Sequence, residues 1–273
     1  MAQAPARTEN PLMSDNFARV YEQMAHRITV PISLAALDMV GSVGEGTRVL
    51  DIAAGAGALS VPAAQRGASV LAIDIAPGMV RRLAAKLEPF QDCEAREMDG
   101  EALDIEDASF DAAFSIFGAM TFSDWRRGLR EQARVLRHGG KGCVASWRKP
   151  PGGGPFMIMW SALQSIFPDR LPPAQPEGFI ALSDPARLAD ELRESGLADV
   201  EVRTVEGIWE GPGGDAYFEE LRELHSYIKP YATLEPADRT KVDDAIRTLV
   251  SASTLNGRIR LVSPVLIGIG TRG

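Results

Sequence analysis

The sequence predicts an α/β protein with a doubly wound, mostly parallel sheet of seven strands, a helical cap insertion and an N-terminal helical lid. The first observation is that short apolar runs alternate with helix-like stretches from residue 47 to residue 147. Parallel strands need crossover connections, and helical crossovers cover both faces of the sheet. The second observation is the composition, 45% hydrophobic and 24% charged, which is ordinary for a folded globular chain.

The predicted elements follow in chain order. The strands are expected at 47–51, 69–74, 94–98, 110–116, 142–147, 200–205 and 259–270. The helices of the core are expected at 59–66, 79–87, 124–137 and 185–195. Asp124 is the expected N-cap of the third helix, and the glycine pair at 139–140 is expected to end it.

Composition divides the chain into four segments. We expect an N-terminal helical lid at 1–44, a sheet core at 45–150, a cap insertion at 151–258 that includes one core helix and strand, and a final core strand at 259–273. The insertion carries the net negative charge of the chain and half of its aromatic residues. An aromatic-rich insertion beside a ligand-binding sheet predicts an apolar pocket for an organic molecule.

Charge and hydropathy exclude several partners. The net charge of −8 gives no electrostatic basis for binding nucleic acid. No apolar run approaches the ~20 residues that span a bilayer, and the N-terminus lacks the apolar core of a signal peptide, so we expect no membrane partner and a cytoplasmic location. The two cysteines, Cys93 and Cys143, predict neither a disulfide framework nor a metal site.

The loop after the first strand is the expected ligand site, because ligands bind where the strand order of an open parallel sheet reverses. Gly55 and Gly57 allow the backbone to turn sharply there and to approach a ligand. Asp51, Asp74 and Asp99 stand at the ends of three successive strands. Each acid alone could simply cap a turn, but the three together favour a site for a nucleoside.

Five stretches resemble, in order and spacing, the motifs of the class I S-adenosylmethionine-dependent methyltransferases. The likeness is greatest to the small-molecule branch that includes the ubiquinone and menaquinone biosynthesis enzymes. The stretches are 49–57, 70–79, 99–100, 110–117 and 134–141. Ala53 stands where the family usually has its first glycine. The resemblance covers about residues 45–150 and implies a Rossmann-like sheet with S-adenosylmethionine as cofactor and S-adenosylhomocysteine as product.

The resemblance also implies roles for individual residues. Asp74 would hold the ribose hydroxyls, Asp99 would accept from the adenine amino group, and Met79 would pack on the adenine. The backbone at Ser115 and Ile116 would meet the methionine ammonium group. The residues assigned to the cofactor in this way are Asp51, Ala53, Gly55, Gly57, Asp74, Ile75, Met79, Asp99, Gly100, Ser115 and Ile116.

Other functions remain as alternatives. A nicotinamide-dependent dehydrogenase would need a complete G-x-G-x-x-G loop, whereas Ser60 occupies the third glycine position. A protein of the same fold without methyl transfer, either a cyclase or a binding module, is the main alternative. A protein or RNA methyltransferase is another, and the acidic insertion argues against RNA.

The acceptor is expected to be an apolar or aromatic small molecule, methylated on oxygen, nitrogen or carbon mainly through proximity and orientation. Phe17, Tyr21, Met24 and Ile28 share one face of an N-terminal helix that could lie over the cofactor. Tyr21 and His26 of this helix, and His225 of the cap, are the candidate catalytic residues. No metal is expected, and the sequence is compatible with a homodimer.

Overall fold

The computed structural model describes residues 10–149, 152–170 and 175–273. The start of the predicted lid, at 1–9, and parts of two Pro-rich predicted loops, at 150–151 and 171–174, lie outside the described residues. The α-helices are α1 Asp15–Val40, α2 Ser60–Gln65, α3 Pro77–Leu87, α4 Trp125–Arg134, α5 Pro155–Ile166, α6 Glu177–Ala181, α7 Pro185–Glu194, α8 Gly214–His225, α9 Lys229–Ala232 and α10 Pro236–Ser253. The strands are β1 Arg48–Ile52, β2 Ser69–Asp74, β3 Glu94–Glu97, β4 Phe110–Ile116, β5 Leu136–Trp147, β6 Leu197–Pro212, β7 Thr254–Leu255 and β8 Arg258–Arg272.

The strands form one sheet in the order β3-β2-β1-β4-β5-β8-β6. Neighbours from β3 to β5 are parallel, and β8 runs antiparallel to both β5 and β6. The predicted doubly wound, mostly parallel sheet is confirmed. An eighth strand, β7, has two residues and pairs only with β8, outside this order.

The reversal of strand order lies between β1 and β4, in the middle of the sheet. Val49, Leu50 and Ile52 of β1 are buried, as are most residues of β4. Both strands are covered by helices on their two faces, which explains why they are continuous apolar runs rather than alternating ones. A crevice therefore opens at their carboxyl ends.

Helix α4 differs from its predicted bounds at one end. It begins directly after Asp124, whose carboxylate caps the first turn as expected. It ends at Arg134, earlier than expected, because Leu136 already pairs with Phe110 in the sheet. The prediction that the glycine pair at 139–140 ends this helix is wrong, since both glycines lie inside β5.

Helix α1 is part of the hydrophobic core over most of its length. Met24 and Ile28, both from the predicted apolar stripe, are buried, and so is Leu37 further along. The indole Nε1 of Trp209 in β6 donates a hydrogen bond to the carbonyl oxygen of Met24 at 3.1 Å. The helix therefore covers the crevice as a fixed element that is packed against the sheet.

The predicted insertion contributes helices to two places along the chain. Helices α5 and α6 precede the core helix α7, and α8, α9 and α10 lie between β6 and β7. Helix α10 packs on α5, so the two parts meet. The segment limits at 44, 150 and 258 stay predictions. Among the described helices, none combines the length and apolar character needed to cross a membrane.

Candidate functional site

A cavity of about 530 Å³ lies at the carboxyl ends of β1, β2 and β4, the edge at which the sequence predicts a ligand. It is bounded by the loops that follow these strands and by helix α1. The predicted site residues that line it are Tyr21, His26, Ala53, Gly55, Asp74, Ile75, Met79, Asp99, Gly100 and Ile116. Four other predicted site residues, Asp51, Gly57, Ser115 and His225, are not part of its wall.

The two glycines of the loop after β1 are needed for different structural reasons. Gly55 has a φ of 55°, and a Cβ on it would meet no atom within 4 Å, so the backbone is open to the cavity there. Gly57 has a φ of 91°, and its Cβ would lie 2.5 Å from Cδ1 of Leu83 in α3. Gly57 therefore allows α3 to pack under the loop, whereas Gly55 leaves room for a ligand.

Asp74, the last residue of β2, is held by its backbone surroundings. Its Oδ2 accepts a hydrogen bond from the N–H of Gly55 at 2.8 Å, and its Oδ1 accepts one from the N–H of Ala76 at 2.9 Å. Burial raises the pKa of this carboxyl, and the backbone hydrogen bonds oppose the rise. Each oxygen retains a free lone-pair direction. The carboxylate is thus fixed in place with two acceptors available to a ligand.

Asp51 and Ser115 lie behind the cavity wall and support it. The carboxylate of Asp51 is buried and accepts a hydrogen bond from Oγ of Ser60 at 2.5 Å. Burial raises the pKa of Asp51 to about 7, and the nearby charge of Asp74 adds to the rise. Oγ of Ser115 donates to the carbonyl of Ile52 at 3.1 Å, which links β4 to the end of β1. Both side chains stabilise the loops that carry the site.

The far end of the cavity combines an acid with apolar side chains. Asp99 is exposed, and Gly100 beside it is buried under Phe122, whose ring would lie 2.6 Å from a Cβ at this position. Ile75 is 56% exposed on the same wall, near the buried Met79. An exposed large apolar side chain beside an acid suits a flat heteroaromatic ring. Phe122 was missed in the sequence because it lies in a loop without a periodic pattern.

Tyr21 and His26 form the side of the cavity that belongs to α1. Burial raises the pKa of the Tyr21 hydroxyl, and the charge of Asp74 raises it further, so the hydroxyl keeps its proton at neutral pH. Burial and the charge of Lys86 lower the pKa of His26 to about 4, although Glu22 opposes this effect. At neutral pH, Tyr21 is therefore a hydrogen-bond donor and His26 a neutral imidazole.

His225 lies inside the helical part of the chain rather than in the cavity. Its ring is 1% exposed and packs edge-on against Phe218 and Tyr231, with ring centroids 5.8 and 5.6 Å away. Neither ring nitrogen has a hydrogen-bond partner among the described residues. This placement gives no support to the prediction that His225 contacts an acceptor. The sequence could not distinguish an aromatic pocket wall from an aromatic core.

A second cavity, of about 300 Å³, adjoins the first. Helix α1, the loop after β4, Trp147 of β5, Phe156 of α5 and Phe179 of α6 surround it. No charged side chain lines it among the residues that the structure describes. The residues common to the walls of both cavities are Tyr21, Thr29, Phe117 and Thr121. An apolar space thus opens onto a space lined by acids and backbone amides.

Phe117 forms part of the boundary between the two cavities. It directly follows β4 and has a φ of 62°, a conformation that is unusual for a bulky side chain. Its ring stacks on Trp147 with centroids 4.5 Å apart and an interplanar angle of 23°. A strained backbone conformation of this kind persists only where the surrounding structure enforces it, and such residues are frequent at ligand sites.

Comparison with known proteins agrees with this geometry. A family described as "Methyltransferase domain" matches residues 49–140. An uncharacterised protein of Mycobacterium tuberculosis (strain ATCC 25618 / H37Rv) is 34% identical over 148 residues, which are 52% of this chain and 54% of that protein. This chain thus spans about half the length of that relative. A demethylmenaquinone methyltransferase of Renibacterium salmoninarum is 33% identical over 183 residues, covering 63% of this chain and 74% of the relative.

Among solved structures, a phosphoethanolamine N-methyltransferase 2 of Haemonchus contortus shares the fold, with a TM-score of 0.57 at 15% identity. The match covers 96% of this chain and 58% of that one, which was solved with phosphomonomethylethanolamine and S-adenosylhomocysteine. The fold, the site and the sequence relatives together define one class. This chain belongs to the class I S-adenosylmethionine-dependent methyltransferases. The predicted family and its cofactor, S-adenosylmethionine, are confirmed.

Proposed function

We propose that this chain transfers the methyl group of S-adenosylmethionine to an uncharged apolar or aromatic small molecule. The observation that carries the proposal is the junction of the two cavities, whose walls share Tyr21, Thr29, Phe117 and Thr121. A cofactor in the first cavity and an acceptor in the second would meet at these residues. A relative named as a demethylmenaquinone methyltransferase supports a small molecule as acceptor.

The residues of the first cavity fit the cofactor. Asp74 offers two fixed acceptors for the ribose hydroxyls. The space over Gly55 admits the methionine part, and Ile75 and Met79 would cover a face of the adenine. Asp99 lines the same cavity and would accept a hydrogen bond from the adenine amino group. The bound cofactor supplies a methyl group on a sulfonium, which is already activated for displacement.

The hydroxyl groups at the junction suggest how the acceptor is oriented. Oγ1 of Thr29 donates to the carbonyl of Ala25 at 3.0 Å, and Oγ1 of Thr121 donates to the carbonyl of Gly118 at 2.7 Å. Both threonines therefore offer lone pairs to the cavity. Tyr21 offers its proton, since its pKa is raised. An acceptor with one hydroxyl-bearing end, such as a phenol, naphthol or hydroquinone, would place that end toward the cofactor.

The chain itself supplies orientation and exclusion of water. Apolar walls at Met24, Ile28, Phe156 and Phe179 would hold the acceptor in one position and keep water away from the reacting atoms. Orientation alone can contribute roughly 7–11 kcal/mol to such a displacement. The neutral His26 is a weak base because its pKa is about 4. The arrangement therefore supports proximity as the main source of rate enhancement.

Substitution of Asp74 tests the cofactor assignment. Asp74→Ala should weaken binding of S-adenosylhomocysteine by about 1–3 kcal/mol, the usual loss for hydrogen bonds to a charged group. Isothermal titration calorimetry measures this directly. Asp104→Ala is the matched control, because Asp104 is an exposed acid outside the cavity. If Asp74→Ala bound S-adenosylhomocysteine as tightly as Asp104→Ala and wild type do, the cofactor assignment would be contradicted.

Methyl transfer is tested with S-adenosylmethionine carrying a labelled methyl group and a panel of uncharged phenols, naphthols and hydroquinones. We expect labelled product and S-adenosylhomocysteine in equal amounts. Phe156→Ala should raise the acceptor KM about tenfold and leave S-adenosylhomocysteine affinity within twofold. Phe167→Ala is the control, since this half-buried phenylalanine of the same region lies outside both cavities. Cofactor binding without any transfer would favour the alternative, a cyclase or binding module.

A further inference from the structure

Lys86 of α3 reaches the loop that forms the floor of the first cavity. Its Nζ donates a hydrogen bond to the carbonyl oxygen of Ala56 at 2.8 Å. Ala56 lies between the two glycines of this loop and is part of the cavity wall, while Lys86 is not. The ammonium group thus holds the loop from behind. Nothing in the sequence pattern predicts this contact, because 30 residues separate the two positions.

The ammonium group is itself held by a carboxylate of α1. Oε1 of Glu22 accepts from Nζ of Lys86 at 2.5 Å, and Oε2 of Glu22 pairs with Arg82. The side chain of Glu22 is only 16% exposed, and that of Lys86 is 28% exposed. The pKa of Glu22 is lowered by these two cations, despite the opposing effect of burial. Because the pair is largely shielded from water, its attraction is screened less than that of an ion pair at the surface.

The loop needs such support because of its backbone. Ala53, Gly55 and Gly57 all have positive φ. The segment is therefore a series of tight turns, which lacks the regular backbone hydrogen bonds of a strand or a helix. The N–H of Gly55 must point at Asp74 for the carboxylate to be oriented. A donor fixed on the carbonyl of the next residue, Ala56, orients the peptide plane that joins Ala56 to Gly57, two peptide units after the plane that carries the N–H of Gly55.

We propose that Lys86 is a positioning residue for the cofactor, acting through the carbonyl of Ala56 and anchored by Glu22. It couples the covering helix α1 to the loop that holds the cofactor. The proposal rests on the proposed use of the first cavity for S-adenosylmethionine. It assigns a role to a side chain that does not touch the cavity.

The test is calorimetric titration of the whole 273-residue chain with S-adenosylhomocysteine. Lys86→Met should weaken binding about tenfold, and Lys86→Arg, which keeps a cationic donor, should restore affinity to within threefold of wild type. A melting temperature is measured for each variant. A role in stability alone would lower the melting temperature of Lys86→Met and leave the dissociation constant unchanged, and that result would overturn the proposal. If Lys86→Met does not fold, Lys86→Gln is titrated with the same two outcomes.

The control separates the loop contact from the bridge between helices. Arg81 of α3 also pairs with α1, through Asp15 at 2.9 Å, but both side chains are exposed and neither touches the loop. Arg81→Gln should bind S-adenosylhomocysteine within twofold of wild type. An equal loss of affinity in Arg81→Gln would overturn the proposal, because removal of any ion pair between α1 and α3 would then weaken binding. A wild-type protein that binds no S-adenosylhomocysteine would instead contradict the proposed function.

Discussion

Ala53 has a left-handed backbone conformation, with a φ of 57°, which glycine adopts without a steric cost. An L-residue in this region carries a cost of roughly 1–2 kcal/mol because its Cβ crowds the neighbouring carbonyl. Its methyl group also lies over Gly118, where an added Cβ would come within 2.5 Å of it. The loop after β1 and the segment after β4 are thus packed against each other at a strained residue.

Replacing Ala53 by glycine should therefore stabilise the fold. For Ala53→Gly we expect the free energy of unfolding to rise by about 1 kcal/mol, since relief of strain exceeds the added entropy of the unfolded chain. Urea denaturation measures the change. Ala54→Gly is the matched control, because Ala54 has no positive φ and should lose about 1 kcal/mol. A loss of stability in Ala53→Gly would show that the methyl packing outweighs the strain.

At the scale of elements, helix α1 has two roles that the sequence could not separate. One face carries buried residues into the main core, and the part up to Thr29 also forms a wall of both cavities. Ile28 has both roles, since its Cδ1 lies against Gly154 at the start of α5 and its side chain lines the second cavity. Deleting the helix up to Thr29 would therefore remove part of the core as well as the cover.

Point substitutions in α1 test this integration. Ile28→Ala should lower the free energy of unfolding by about 2–4 kcal/mol, the range for removing a buried aliphatic side chain. Leu34→Ala in the same helix is the control, because Leu34 is 39% exposed and should lose less than about 1 kcal/mol. Urea denaturation of the two variants decides the point. Similar small losses in both would mean that α1 is only loosely attached to the sheet.

At the scale of the whole molecule, two buried histidines make stability depend on pH. Burial lowers the pKa of His225 to about 4, and burial with nearby cations lowers that of His26 to about 4. The unfolded state binds protons near pH 6.5, whereas the folded state does not until about pH 4. Stability is therefore complete above about pH 6.5 and falls as the pH drops from there toward 4.

The variant His225→Leu should remove its share of this dependence. Between pH 8 and pH 5, wild type should lose about 2 kcal/mol for each of these histidines, and the variant should lose about 2 kcal/mol less than wild type. Urea denaturation at the two pH values measures the difference. His138→Gln, at an exposed position of β5, should behave like wild type. Equal losses in wild type and His225→Leu would contradict a lowered pKa of His225 in the folded state.

The homodimer and the cytoplasmic location stay predictions.

The sequence alone predicted the sheet, its helical crossovers and the edge that carries the first cavity. It could do so because these features depend on local patterns. An apolar run bounded by breakers defines a strand, and an acid at the end of a strand necessarily lies at the carboxyl edge, as Asp74 and Asp99 do. Positive φ at Gly55 likewise follows from a short loop between strand and helix.

Only the tertiary structure decided which of the predicted residues face the cavity and which lie behind it. Asp51 is the last residue but one of β1 and Asp74 is the last of the neighbouring β2, yet Asp51 is buried under the loop and Asp74 lines the first cavity. The second cavity and the contact of Lys86 with Ala56 each join residues far apart in the chain. Such contacts depend on how helices pack across the sheet, and that packing is set by the shape of many side chains together rather than by any local pattern.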